Sequence, residues 1–366
     1  MLGTLQRYVL RSYLTFVGAI LGVVLAIFLV TDFVDRAKAY TGPNVARDVA
    51  VLYGYKALVF THQLGSAVML LAAGACVSAL RKRGEVTAVN ALCFGPSAFY
   101  VPVALSAVML SVGLVAFDEY VVTGAARRVE EITVHRFNRW GDWRFYFVPK
   151  QWYRRADKLF YLRGGTADQG FSDVTLLSVT DDFALQRRID AQKMVHLSGT
   201  RWRLEGIVDR TFTPQGATAI AQSAETELDL GAGPEGFRVL LGRPEQMRLP
   251  ELEKQIRTRA EVGLPTTQYL LGLHNRFAYP FAGLPAALLA VGLALRPGRK
   301  GHLTTAMIEG LIVAVTLWGL MVVCRTLVLA DRLAPVLAAW APFVILTLAA
   351  ALLWQKLHRG SFRRAK

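Results

Sequence analysis

The sequence predicts an α-helical membrane protein with six transmembrane helices, arranged three and three, and a β-jellyroll-like domain inserted between the two halves. Three observations carry this reading. Six apolar segments approach or reach the ~20 residues that a helix needs to cross a hydrocarbon core: 14–31, 57–80, about 100–122, 277–295, about 304–324 and 333–355. The hydrophilic block 123–263 parts them and contains no such run. Basic residues crowd the short connections of one side only. The expected division is 1–122 for the N-terminal membrane half, 123–263 for the β domain with a C-terminal linking helix, and 264–366 for the C-terminal membrane half.

Residues 1–12 read as an amphipathic approach helix along the membrane surface, with Leu2, Leu5, Tyr8, Val9 and Ser12 on one side and Gln6, Arg7 and Arg11 on others. The first apolar run exceeds the ~7–15 residues of a leader core, and Asp32, Asp35 and Arg36 separate it from the small-residue pattern Ala37-Lys38-Ala39. It is therefore read as a retained span. Arg7 and Arg11 precede this span, Arg81, Lys82 and Arg83 follow the second, and Arg296, Arg299 and Lys300 follow the fourth. With Lys356, Arg359, Arg363, Arg364 and Lys366 at the end, that makes 13 basic residues against the single acid Glu85. Positive loops stay in the cytoplasm, so both termini are expected there and the β domain on the outer side.

Between the second and third spans, a short helix from about Gly84 to Leu92 is expected to lie along the membrane. Phe94-Gly95-Pro96 ends it, because glycine closes a helix and proline does not continue one. Glu85 falls in its first turn, where a carboxylate suits the helix dipole. Two readings stand: a solvated connector whose acid offsets three neighbouring cations, or a docking helix for a cytoplasmic partner.

In the hydrophilic block, 143–148, 159–162, 174–179 and 201–212 mix β-branched and aromatic residues and read as strands. Turn signals lie at Gly164-Gly165, Thr180-Asp181-Asp182, Ser198-Gly199 and Pro214-Gln215-Gly216. From Thr123 to Val262 the 22 Lys and Arg nearly balance 19 Asp and Glu, which argues against a nucleic-acid surface. Phe145, Phe147, Phe160 and Tyr161 read as sheet core; a greasy interior would also suit acyl chains, and an exposed edge a partner's strand. Residues 249–260 form a polar amphipathic linking helix, with Pro250 in its first turn and Leu252 and Ile256 on one face.

At the outer boundary Arg36, Lys38, Arg47 and Lys56 flank the first two spans, where topology does not place extra cations. Arg276, Arg325 and Arg332 stand at the outer ends of later spans. Such a ring attracts a phosphate-bearing lipid; the alternative is that these residues cap helices, snorkel, or pair with Asp32, Asp35 and Asp331. Arg36, Lys38, Arg47, Lys56, Arg276 and Arg325 are the candidate lipid-binding set. Asp118 and Glu119 fall in the last turns of the third span, near water. Glu309 is read as structural, reaching the interface or pairing with Arg299 or Lys300, and His62 and Gln63 as interhelical hydrogen-bond partners.

No G-x-x-x-x-G-K-[ST] loop occurs, so the chain has no phosphate cradle of its own for ATP. The six His show no metal-ligand spacing, no nucleophile elbow is present, and Cys76, Cys93 and Cys324 read as small buried hydrophobes. No catalytic residue, metal or cofactor is expected. An ion-coupled carrier is disfavoured because ionisable residues near the midplane are lacking.

The opening Leu5-Gln6-Arg7-Tyr8-Val9, the stretch Thr31-Asp32-Phe33-Val34-Asp35-Arg36 and the run from Arg83 to Gly95 carry a resemblance. With the three-plus-three arrangement, they make the whole chain resemble the LptF/LptG (YjgP/YjgQ) permeases, membrane subunits of the lipopolysaccharide exporter of Gram-negative bacteria. The resemblance implies an inner-membrane ABC-transporter permease that extracts lipopolysaccharide and passes it to a periplasmic bridge, with residues 123–263 periplasmic. It implies as partners a cytoplasmic ATPase dimer that hydrolyses the ATP, a paralogous permease and a periplasmic jellyroll bridge protein. Residues 84–95 would be the coupling helix gripped by the ATPase, with Arg83, Glu85, Val86, Val89, Leu92 and Phe94 as contacts. Basic residues near the outer end of the first span contact the lipid in the family, which carries over to Arg36 and Lys38. The first and fifth spans would line the lipid cavity. The rival reading is a non-transporting inner-membrane anchor that displays a β domain for protein contacts.

Overall fold

In a computed structural model the chain divides into two compact units, 1–139 with 270–366 and 140–269. The residues described are 3–92, 94–137, 151–155, 158–166, 169–180, 184–213, 216–231, 233–234, 242–261, 263–296 and 302–363.

The first unit is helical. Its elements are α1 (Thr4–Arg36), α2 (Val45–Lys82), α3 (Glu85–Ala91), α4 (Ser97–Phe117), α5 (Thr123–Ile132), α7 (Thr267–Ala294), α8 (Leu303–Leu329) and α9 (Pro335–Arg363), with α6 (Leu249–Glu261) belonging to the second unit. Six runs among the described residues are long and apolar enough to cross a membrane. The approach helix and first span are one element: α1 runs 33 residues, or about 50 Å at 1.5 Å per residue. Its inward residues are Val9 and Tyr13, both fully buried, whereas Tyr8 is exposed. Small residues let α2 and α7 meet closely, as Ala72, Ala73, Cys76, Ala286, Ala287 and Ala290 all sit in the main core. Gly283 lies in this seam, where a Cβ would meet Ser66 Cα at 3.3 Å and would have to push the flexible Met69 side chain aside.

The sequence reading ends the third span at Val122, but the helix continues. A wider π-type turn over Asp118–Val122 leads into α5 and a second such turn over Thr133–Phe137. α5 is amphipathic, with Thr123 and Ala125 buried and Arg128 paired to Glu131 on the exposed side at 2.8 Å. A polar helix with one buried stripe holds its period beyond the apolar run.

The second unit is the expected inserted β domain. Its described strands form one antiparallel sheet in chain order: β1 (Gln151–Arg155), β2 (Lys158–Thr166), β3 (Gly170–Val179), β4 (Leu185–Ser198), β5 (Arg201–Thr213) and β6 (Gly216–Asp229). Period-two alternation puts Phe160, Leu162, Val174, Leu176, Ile189, Ala191, Trp202 and Leu204 on one buried face. The segment 143–148, with Phe145 and Phe147, lies outside the described residues. β4 and β6 were not legible as strands, because β4 carries Arg187, Arg188, Asp190 and Lys193 among its few apolar residues, and β6 is mostly small and exposed.

Gly164-Gly165 is not a turn. Both residues lie in β2, opposite Ser172 and Phe171. Gly165 has φ +107°, and a Cβ on it would lie 2.2 Å from the Gly170 carbonyl oxygen, so glycine serves a close strand approach. Leu252 of α6 is fully buried, but the expected companion Ile256 is only half-buried; the face continues instead through Gln255 and Arg259, with the Arg259 guanidinium 4.2 Å above the Tyr269 ring.

Candidate functional sites in the membrane half

The expected short helix between the second and third spans is α3. Gly84 at its N-cap takes φ +78°, the left-handed conformation that turns the chain sharply out of α2. The six candidate contact residues divide into two faces. Val86 and Val89, 2% and 7% exposed, belong to the same core as Val9 and Tyr13. Leu92 and Phe94, 70% and 54% exposed, point outward with Arg83. Glu85 stands between the faces: its Oε1 accepts a hydrogen bond from the Tyr8 hydroxyl at 3.1 Å and lies 4.0 Å from Arg83 Nη1. Cys93 is outside the described residues.

The basic boundary residues also divide. Asp32 is shared by Arg36, whose Nε lies 3.2 Å from Oδ1, and by Lys56, which donates to Oδ2. The Tyr53 hydroxyl donates to the same Oδ2 at 2.8 Å, and the Tyr40 oxygen lies 3.0 Å from that of Tyr53. Lys56 is thus buried and neutralised within a web of aromatic hydroxyls, while Arg36 is exposed. Lys38, Arg47 and Arg325 are exposed and have no ion-pair partner among the described residues. Arg325 opens on a cleft of about 190 Å³ with Asn275, Trp318, Cys324 and Pro342.

Arg276 is 7% exposed and does not reach the surface. Its Nε lies 3.3 Å from Asp118 Oδ2, and its Nη1 donates to Glu119 Oε2 at 2.8 Å. Asp118 and Glu119 therefore do not stand at a water-facing helix end: the continuing helix keeps them inside, and Asp118 is 6% exposed. His62 Nδ1 is 3.9 Å from Asp118 Oδ1, and the Gln63 carbonyl accepts from the Tyr279 hydroxyl. Glu309 is half-buried on α8; Arg299 and Lys300 lie outside the described residues.

Sequence reasoning missed the partners: Tyr8 for Glu85, Tyr40 and Tyr53 for Asp32, and Arg276 for Asp118 and Glu119. For Tyr8 a signal existed, because it lies on the amphipathic opening of α1. The others are brought together only by the packing of distant helices.

Among the described residues, α1 and α8 are the least buried of the candidate spans. None of the apolar window of α1 and 17% of that of α8 is buried, against 78% for α2. A family model described as lipopolysaccharide export system permease LptF/LptG matches residues 7–356. The search of curated proteins found no match.

Proposed function

The chain belongs to the lipopolysaccharide export permease family LptF/LptG, multi-pass inner-membrane subunits that are not themselves catalytic, and from that premise we propose that it forms one half of a transporter core. The observation that carries the reading is a match spanning both membrane halves and the inserted β unit. A paralogous permease completes the core, and a cytoplasmic ATPase dimer supplies the energy. The termini lie in the cytoplasm and the β unit in the periplasm, as the one-sided basic residues favour.

In this mechanism the ATPase seats on α3 through the exposed Arg83, Leu92 and Phe94 and the half-buried Glu85. Val86 and Val89 carry the displacement inward, because both are buried in the core cluster that also holds Val9 and Tyr13 of α1. The unburied faces of α1 and α8 line the lipid cavity with the second permease. Lipid phosphates meet Arg36, Lys38, Arg47 and Arg325 at its outer rim. Lys56 and Arg276, already neutralised by Asp32 and by Asp118 with Glu119, hold that rim in place. Closure drives the lipid out of the inner membrane toward the β unit and on to a periplasmic jellyroll bridge.

Purification of the full chain in mild detergent, followed by identification of bound subunits and lipid, tests the reading. A transporter half brings an ATPase, a second permease and lipopolysaccharide. Recovery of the chain without an ATPase would instead identify a membrane anchor for the β unit.

A further inference from the structure

α4, α7 and α9 enclose a groove of about 390 Å³ inside the first unit. Its wall is hydrocarbon over most of its length, from Val101 and Ala104 on α4, Leu284 and Leu288 on α7, and Phe343 and Ala351 on α9. One end is closed by Tyr100 and Trp354, packed edge to face with ring centroids 4.5 Å apart. Aromatic pairs of this kind mark the level where hydrocarbon gives way to headgroups.

We propose that this groove holds an acyl chain of an anionic phospholipid, taken from the leaflet on the side of the chain termini. Charge complementarity fixes the headgroup. About two turns beyond Leu288 stands the exposed Arg296, whose carbonyl accepts from Arg81 Nη1 at 2.9 Å, and Lys356 is exposed just past Trp354. With Lys82 and Arg83 these form a basic collar in which Glu85 is the only acid of the α2–α3 turn. A phosphate at headgroup level is drawn to such a collar while its chain lies below the aromatic pair. The Tyr100 hydroxyl is buried against Gly292 of α7, where a Cβ would lie 2.6 Å from it, so the ring is fixed across the end of the groove.

Position argues against a protein occupant. The two least buried spans among the described residues are α1 and α8, and neither lines the groove. The proposal stands on a membrane-spanning chain and is independent of the transport mechanism.

The test places benzoylphenylalanine at Thr347, on the groove wall, and at Met109, an exposed α4 position outside it, in the full chain reconstituted in vesicles of mixed phosphatidylglycerol and phosphatidylcholine. Mass spectrometry of the photo-adducts is expected to show phosphatidylglycerol enriched roughly tenfold at Thr347 over Met109, a difference of about 1.4 kcal/mol. Ala351→Trp fills the groove from an exposed site and is expected to remove the enrichment; Ala104→Trp repeats the test from the opposite wall. Equal lipid composition at the two positions, an adduct to polypeptide at Thr347, or enrichment that survives both tryptophans in a monodisperse chain would overturn the proposal.

Discussion

The hydroxyl of Tyr8 donates to the carboxylate of Glu85 at 3.1 Å, tying the first turns of α1 to the first turn of α3 across 77 positions of sequence. The bond is exposed, so it contributes only about 0.5–1 kcal/mol to stability, but it sets where the carboxylate points. Glu85→Lys is expected to lower ATP-driven lipid release or subunit co-purification without unfolding the chain. Tyr8→Phe is expected to give a weaker defect of the same kind, with a melting curve close to wild type. Normal lipid export by Glu85→Lys would remove Glu85 from the coupling path.

The two faces of α3 give opposite outcomes for the same substitution. Val86→Asp places a charge in the buried core of the helical unit, and is expected to cost about 3 kcal/mol or more. Leu92→Asp, at a position 70% exposed, is expected to change stability by less than about 0.5 kcal/mol yet abolish capture of the ATPase. Thermal unfolding in detergent beside co-purification checks both.

Arg276 compensates two carboxylates. Arg276→Leu strands Asp118 and Glu119 inside the helical unit and is expected to destabilise it by about 3–5 kcal/mol. Adding Asp118→Asn and Glu119→Gln is expected to restore most of that, because the neutral cluster no longer needs a cation. Failure of the triple variant to recover would show that the arginine acts through packing instead. The same logic predicts that Lys56→Met is rescued by Asp32→Asn.

In the β unit, burial opposes the charge on Asp190, and the hydrogen bonds from Arg188, Thr175 and Arg210 outweigh it, holding the carboxyl below its ordinary range. A carboxylate with a lowered folded value adds stability above its unfolded pKa of about 3.9, and loses it as pH falls through the folded value. The sheet is therefore expected to hold constant stability near neutral pH and to loosen below about pH 4, read by fluorescence of the buried Trp202 in the full chain. Asp190→Asn is expected to flatten that acid limb. An unchanged acid limb in this variant would assign it to other carboxylates.

The sequence by itself determined the six spans, the one-sided basic loops, the inserted β unit and a short helix at about 84–92. Each follows from apolar run length, strand alternation or Gly and Pro punctuation, which are local properties of a dozen or so neighbouring residues. Burial and pairing were decided elsewhere. That Val86 turns inward while Leu92 stays out, that Lys56 is held by Asp32 while Lys38 is exposed, and that Arg276 spends its charge on Asp118 and Glu119 depend on which helices pack together. A side chain's charge is written in the sequence, but whether that charge faces lipid, solvent or a partner depends on helices far apart along the chain.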